Sequence, residues 1–421
     1  MKQYKVSFPK VKVEGDIYLG GSKSISNRVL VIQKLIGQQL EITHLSDSDD
    51  TVTMRALLDQ STGIYDVHHA GTAFRFLTAY LAITQGTKVL TGSSRMQQRP
   101  IRPLVDALRD LGANITYINN EGYPPLKIDT PHDELKEELE ISASISSQYI
   151  SALLLIAPSL INGLKIKLIG DVVSRPYIDM TISIMRDFGA DVIWKENTII
   201  VKPVLYKARP YRIEADWSAA SYYYAIAGLS EEADIRLHGL FDDSTQGDAA
   251  ISHIAAKLGV SSNFSDNCVL ITKDKEKTVN LMFEYDFIKQ PDIAQSISVW
   301  LAGNGVNGLF SGLQTLSIKE TDRVAALQTE LMKVGVFLSK LPAKFSKKSS
   351  TTYYMQEGQA TYGDLIPAFD TYQDHRMAMS FATLAVRFHI IINDPMVVTK
   401  SYPTFWDDLK KLGFVIEQIA E

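Results

Sequence analysis

Lysines, arginines, hydroxyls and carboxylates are concentrated at six separated places in an otherwise apolar chain of 421 residues. They are Gly21-Ser22-Lys23-Ser24-Ile25-Ser26-Asn27-Arg28, Ser93-Ser94-Arg95, Ser146-Ser147-Gln148, Lys319-Glu320-Thr321-Asp322-Arg323, Asp374-His375-Arg376 and Lys400. Their shared chemistry is oxyanion recognition, with guanidinium and ammonium groups as counter-charges and hydroxyls as hydrogen-bond donors. Brought together, they suit one or two small substrates carrying several phosphate or carboxylate groups. The formal net charge is −5, so this cation density is local, and an extended nucleic-acid surface is not expected.

The first cluster lies between a strand-like run and the apolar helix Val29-Leu30-Val31-Ile32. Small residues at a helix start leave backbone N–H groups open to an anion, and Lys23 adds a point charge. Arg28, four residues beyond Ser24, shares its helical face. The spacing of a P-loop is missing, and an ordinary N-cap with solvated basic residues is the plainer alternative. Ala70-Gly71-Thr72-Ala73-Phe74-Arg75 is a second Gly-Thr turn into a helix, and Arg75 reads equally well as structural. Arg95 lies in a turn between Thr91-Gly92-Ser93-Ser94 and Gln97-Gln98-Arg99-Pro100. The hydroxyls of Ser144-Ile145-Ser146-Ser147-Gln148 stand at the mouth of an apolar helix, and either bind a phosphate or simply cap it. Ser174-Arg175-Pro176-Tyr177 offers another hydroxyl and an aromatic face, with Pro176 placed to start a helix.

Carboxylates come from the second half. Asp292 follows Pro291 at the start of an apolar helix, as a base or as an N-terminal charge. Lys319 and Arg323 are four apart and expected on one face of the helix that follows, with Glu320 beside them. Cations there lower a carboxyl pKa and burial raises it. His375 and Arg376 precede another helix, and Lys400 follows Met396-Val397-Val398. The eight histidines show no HExxH spacing, and no metal site is expected.

These groups need a scaffold of small α/β modules. Apolar-periodic segments run to a glycine and then into a strand-like stretch at Met54–Gly63, Leu104–Gly112, Ile178–Gly189, Ile251–Gly259, Ala325–Gly335 and Phe405–Gly413. Glycine after a helix favours the left-handed C-cap, and the even spacing of the last five indicates an internal repeat larger than a solenoid unit. The length calls for two or three domains. Pro203–Asp216 reads as one boundary and Gly15–Gly21 as another, which predicts a discontinuous domain of residues 1–15 and 217–421 and an inserted domain of 16–216. Residues 1–13 alternate as one strand and lack a signal-peptide core. No run reaches 18 apolar residues. Cys268 is the single cysteine, which excludes an intrachain disulfide and suggests a reducing compartment, the cytoplasm.

The segments GSKSISNR, AGTAFR, LTGSSRMQQRPIRPLVDALRDLGA, SISSQYISALL, SRPYIDMT, QPDIAQ, IKETDR, DHRMAMSFA and KSYPTFWDDL, in this order along essentially the whole chain, resemble the 5-enolpyruvylshikimate-3-phosphate synthases, an enolpyruvyl transferase family. The resemblance implies a two-lobed α/β fold, an inside-out α/β barrel with three βαβαββ-like units per lobe, and an active site in the cleft. It implies transfer of the enolpyruvyl group of phosphoenolpyruvate to the 5-hydroxyl of shikimate 3-phosphate on the route to chorismate. Neither metal nor organic cofactor is implied; the partners are the two small substrates, with no nucleic acid, no membrane and a monomeric chain. By the same resemblance Lys23, Ser24, Arg28, Ser146, Ser147, Gln148, Ser174, Tyr177, Asp292, Thr315 and Lys319 contact shikimate 3-phosphate. Lys23, Gly71, Arg95, Gln148, Arg323, Arg376 and Lys400 contact phosphoenolpyruvate. Asp292, Lys319 and Glu320, with Lys23, form the catalytic group, Glu320 serving C3 of the donor and Asp292 or Lys319 the hydroxyl.

Four places depart from the family pattern: His69 for an asparagine, Phe76 for a proline, Ser93-Ser94 for an acid–proline pair, and Thr315 for an amide. The nearest alternative is the related transferase acting on UDP-N-acetylglucosamine, but Cys268 is in the wrong region for that subfamily's loop cysteine. An anion-binding protein that keeps the fold without catalysis is the alternative of another class.

Overall fold

One segment is repeated along the chain: strand, helix, a second strand parallel to the first, a second helix, and a hairpin. Parallel strands cannot be joined by a tight turn, so a helix must cross over between them. The computed structural model describes residues 2–61, 63–131, 135–274, 280–345 and 351–420. Its chain separates into two units, Met1–Gly20 with Glu214–Glu421, and Gly21–Ile213.

The discontinuous unit shows the repeat most plainly at strand Met282–Asp286, helix Ala294–Asn304, strand Asn307–Ser311, helix Arg323–Met332 and hairpin strands Phe337–Lys340 and Tyr354–Glu357. In that sheet the first two strands pair in parallel and the hairpin adds on antiparallel. A second repeat runs from strand Ala368–Phe369 to strand Val415–Ala420, and its last place is taken by the N-terminal strand Gln3–Ser7. The third pairs Lys12–Tyr18 in parallel with Glu232–His238 and ends in the hairpin Val260–Ser265, Cys268–Lys273. Between its first strand and its first helix, Trp217–Leu229, the other unit is inserted.

Gly21–Ile213 holds two complete repeats, in strands from Gly63–Asp66 to Leu126–Asp129 and from Glu138–Ser142 to Thr198–Val201. Its third is reduced. Tyr211–Arg212 pairs in parallel with Ile42–Thr43, and no hairpin joins them among the described residues. Each unit has its own apolar core. The strand Glu232–His238 shows the pattern behind this: Ala233, Ile235 and Leu237 point in, while Asp234 and Arg236 point to solvent.

The repeat explains the glycine spacing. Gly112, Gly189, Gly259, Gly335 and Gly413 all have φ between 77° and 111°, and each links the second helix of a repeat to the antiparallel strand that follows it. Gly63 also has a positive φ, but it follows the reduced repeat. The helix Asp49–Asp59 is capped by Gln60, and Gly63 opens the first strand of the next repeat.

Two expectations are corrected. Residues 1–13 do not form one strand. Gln3–Ser7 and Lys12–Tyr18 lie in different sheets, separated by a stretch that contains Pro9, which has no N–H for a ladder. The unit boundaries fall after Gly20 and Ile213, not after residues 15 and 216. The parallel ladder keeps the chain in the first unit through Tyr18, and on return Asp216 accepts from Ala219 N to cap the helix Trp217–Leu229.

Candidate active site

In Gly21–Ile213, hydrogen bonds tie together the opening turns of four helices: Lys23–Ile36, Gly71–Ala82, Ser147–Ile156 and Arg175–Asp187. Arg28 is the central link. Its Nε donates to Thr181 Oγ1 at 2.7 Å, Nη1 to the Ser24 carbonyl at 2.8 Å, and Nη2 to Ser151 Oγ and the Tyr177 carbonyl, each at 3.3 Å. Gln148 Nε2 donates to Thr72 Oγ1 at 3.1 Å, joining the first turns of two of the helices. The N-terminal parts of the four helices, where the helix dipoles are positive, are thereby held to one another, which suits an anion.

Local sequence accounts for this placement. Gly21 is required because a Cβ there would lie 1.8 Å from the His44 carbonyl oxygen. Lys23 opens its helix and meets Asp50 Oδ2 at 3.0 Å. Ser146 caps its helix by accepting from Gln148 N, and Ser147 is buried beside it. Ser174 caps the helix Arg175–Asp187 from a left-handed backbone with φ 53°. Arg28 is buried and its four hydrogen-bond partners are neutral, so burial pushes its guanidinium down to about 10. A buried cation bonded to neutral partners is stabilised by an arriving anion.

Arg95 is half-buried at the start of the short turn Met96–Gln98. Arg75 is structural, donating to the Gly71 and Pro100 carbonyls at 3.2 and 3.3 Å. Three of the departures from the family pattern have local partners. His69 Nδ1 and Ser93 Oγ lie 2.9 Å apart, so these two replacements answer each other. The Phe76 ring lies under the Arg28 guanidinium, 5.2 Å from centroid to Cζ, a cation–π contact that proline cannot make.

The discontinuous unit carries the denser charge cluster. Asp292 Oδ1 is 3.0 Å from Arg323 Nη1 and 3.5 Å from Lys319 Nζ, and its Oδ2 is 3.2 Å from Arg376 Nη2. Arg323 also donates to Glu320 Oε2 and, through Nε, to Asp374 Oδ2, both at 2.7 Å. Burial opposes charge on Asp292, but Arg376, Lys319 and Arg323 together hold its carboxyl well below the usual carboxylate range. Burial likewise works against charge on Arg323, and Asp374, Glu320 and Asp292 outweigh it, raising its pKa.

Lys319 and Arg323 do not share a helical face. Lys319 is extended after the turn Gln314–Ile318, and the helix begins only at Arg323, capped by Asp322. What unites them is Asp292, in the turn Pro291–Ile293 one step before the helix Ala294–Asn304 rather than within it. Asp374 caps the helix His375–Ala382 by accepting from Arg376 N at 2.8 Å, so a single carboxylate binds the Arg323 guanidinium and fixes the backbone at Arg376. His375 is buried in that first turn. Lys400 Nζ donates to the Gln373 carbonyl at 2.6 Å. Thr315 is buried, its hydroxyl without a hydrogen-bond partner among the described residues.

Sequence reasoning missed Asp50 and Thr72, the partners of Lys23 and Gln148, and gave Asp374 no role. It also missed Arg99, whose buried guanidinium packs on Gly71 where a Cβ would lie 2.6 Å from Nη1. None carries a spacing signal; each is identified only by what it touches. Among the described residues no group of three or more His, Cys, Asp or Glu is arranged to hold a metal ion, and no helix is long and apolar enough to cross a membrane.

Comparison with known proteins adds a family. The family described as EPSP synthase (3-phosphoshikimate 1-carboxyvinyltransferase) matches residues 58–409. A 3-phosphoshikimate 1-carboxyvinyltransferase of Bacteroides fragilis (strain YCH46) is 45% identical over 417 residues, 99% of each chain. One from Sulfurovum sp. (strain NBC37-1) is 37% identical, covering 95% of this chain and 97% of its own. The crystallised EPSP synthase of Acinetobacter baumannii shares the fold, with a TM-score of 0.74 at 20% identity over 99% of this chain and 100% of that one.

Proposed function

The chain belongs to the EPSP synthase family, and from that premise we propose that it transfers the enolpyruvyl group of phosphoenolpyruvate to the 5-hydroxyl of shikimate 3-phosphate, releasing inorganic phosphate. The observation that carries this reading is Asp292 clamped by Lys319, Arg323 and Arg376, with Glu320 bound to the same arginine. Three cations around one carboxylate suit a donor with both a phosphate and a carboxylate, and leave an acid–base pair when the cations turn to it.

Two proton transfers are needed at C3, one in each direction, besides removal of the 5-hydroxyl proton. Glu320, as the acid, protonates C3 of phosphoenolpyruvate, and the 5-hydroxyl oxygen bonds to the C2 this makes electrophilic. The hydroxyl proton passes to Asp292 or Lys319. In the second step the Glu320 carboxylate takes a proton back from C3, the bond from C2 to the phosphate oxygen breaks, and the proton held by Asp292 or Lys319 passes to the departing phosphate, leaving the enol ether and inorganic phosphate. Asp292 is a poor base while three cations hold it. Donor anions that draw those cations away raise its proton affinity, which couples donor binding to activation of the hydroxyl.

Shikimate 3-phosphate is assigned to the gathered helix starts: Lys23, Ser24 and Arg28, then Ser146, Ser147, Gln148 and Ser174, with Tyr177 against the ring. Thr315 supplies a further hydroxyl. Phosphoenolpyruvate is assigned to Arg323, Arg376 and Lys400, with Lys23, Gly71, Arg95 and Gln148. The working unit is taken as one chain, acting in the cytoplasm, the compartment suggested by its single cysteine.

The test is phosphate release with each substrate omitted in turn and the organic product weighed by mass spectrometry. Release that needs both substrates and yields the enolpyruvyl ether is expected. Binding of both without ether formation would leave a non-catalytic anion-binding protein, and activity on UDP-N-acetylglucosamine alone would move the chain to the sister reaction.

A further inference from the structure

The reaction scheme leaves Asp248 unused, although it is a carboxylate only 3% exposed. It lies in the short turn Gly247–Ala250, which is fixed from behind. Gln246 Nε2 donates to Glu214 Oε2 at 2.7 Å and to the Ala215 carbonyl at 2.8 Å, and Ser244 Oγ donates to Glu214 Oε2 at 2.7 Å. On its other side Asp248 Oδ2 accepts a hydrogen bond from Ser218 Oγ.

A serine hydroxyl has one proton. With that proton committed to Asp248, the Ser218 oxygen presents lone pairs to Arg376, whose Nη2 is 3.4 Å away. The same Nη2 is 3.2 Å from Asp292 Oδ2, and Nη1 donates to the Asp292 carbonyl at 3.0 Å. A line of polar contacts therefore leads from Asp248, on a turn whose preceding residue Gln246 is anchored to Glu214, through Ser218 to the guanidinium assigned to the donor. We propose that Asp248 is a positioning residue for donor binding, acting through Ser218 to hold the Arg376 guanidinium in the direction from which it meets the phosphoenolpyruvate anion. This rests on the assignment of Arg376 to that substrate.

Charged and titratable groups face Asp248 from every element packed on it. They are Asp292 from the turn Pro291–Ile293, Arg376 from the helix His375–Ala382, Asp216 at the cap of Trp217–Leu229, and Tyr285 from the strand Met282–Asp286. Burial, and after it the charge of Asp292, push the Asp248 carboxyl up to about 6, against Arg376 and the Ser218 bond. Above that pH the charged carboxylate orients Ser218 and attracts Arg376. Below it the protonated group loses that attraction.

The full chain is compared with Ser218→Ala and Asp248→Asn by measuring phosphate release against each substrate. Ser218→Ala removes one hydrogen bond from Arg376, so KM for phosphoenolpyruvate is expected to rise about three- to tenfold with KM for shikimate 3-phosphate unchanged. For Asp248→Asn, the wild-type to variant ratio of kcat/KM for phosphoenolpyruvate is followed from about pH 5 to about pH 8. Ionisation of the substrate cancels in that ratio, which is expected to climb as pH rises through about 6. A ratio independent of pH overturns the proposal, because a merely structural carboxylate predicts that result. So does an unchanged KM for phosphoenolpyruvate in Ser218→Ala, and that variant decides alone if Asp248→Asn does not fold. Failure of the wild type to form the ether overturns this proposal together with the reaction assignment; equal constants in wild type and variants overturn this proposal only.

Discussion

Asp374 is the carboxylate whose removal tests the charge cluster most directly. It is fully buried, receives Arg323 Nε at 2.7 Å and Nη2 at 3.4 Å, and caps a helix by accepting from Arg376 N at 2.8 Å. Breaking a buried ion pair costs about 3–5 kcal/mol, and loss of an N-cap about 1 kcal/mol. Arg323 keeps Asp292 and Glu320, which puts the ion-pair part at the lower end. Asp374→Ala is therefore expected to destabilise its unit by about 4 kcal/mol, and Asp374→Asn by about 3 kcal/mol, since asparagine still caps. Urea unfolding read by tryptophan fluorescence reports mainly on this unit, because Trp217, Trp300 and Trp406 lie in it and only Trp194 in the other. With a slope of up to about 3 kcal/mol per molar urea, the alanine midpoint should fall by about 1 M or more. A midpoint within about 0.3 M of the wild type would refute the ion-pair argument on that same slope, and an asparagine variant no more stable than the alanine one would refute the capping argument.

Glu320→Gln is expected to bind both substrates with KM values within a few-fold of wild type while kcat falls about 10²–10⁴-fold; full turnover would remove Glu320 from the proton transfers. Asp292 has a folded pKa held low by Arg376, Lys319 and Arg323 against burial, so its stabilisation is complete above its unfolded value of about 3.9 and lost only as pH falls through the folded one. The urea-midpoint gap between wild type and Asp292→Asn should stay level from about pH 8 to about pH 5 and close below about pH 4; a gap that closes near neutrality would contradict the sign of the shift. Gly21→Ala places a methyl 1.8 Å from the His44 carbonyl oxygen, and backbone must move to admit it. A loss of about 3 kcal/mol is expected from such overpacking, read as a lowered melting temperature, and an unchanged one would show that the close approach is not needed.

The periodic parts of the fold are readable from residue types alone, because a helix stop followed at once by a strand needs a left-handed glycine and that requirement recurs at Gly112, Gly189, Gly259, Gly335 and Gly413. Gly63 breaks the spacing because the repeat before it lacks a hairpin, which residue types in one segment do not announce. The family motifs marked Lys23, Arg28, Asp292, Lys319, Glu320, Arg323 and Arg376 as a set. They did not show that Arg28 also links helices within its unit, that Lys319 and Arg323 meet through Asp292 rather than along a helix, or that Asp374 binds the Arg323 guanidinium while capping the helix at Arg376. Those facts depend on partners far away in sequence, such as Arg28 with Thr181 and Arg376 with Asp292. Phe76 makes the same point: in the sequence it is only a departure from the pattern, and as a ring beneath Arg28 it is a contact.

The strand Gln3–Ser7 pairs with Ile390–Asn393 and Val415–Ala420, which has a consequence for how the chain is made. A ribosome delivers this strand before the contiguous stretch Gly21–Ile213 and its two neighbours long after it. The inserted unit is therefore free to fold during translation, and the strand Gln3–Ser7 must wait until Ile390–Asn393 has been made, closing a very long loop when it finally pairs. Until then two strands have open edges, and that interval is where a chaperone that shields unpaired strands has most to protect.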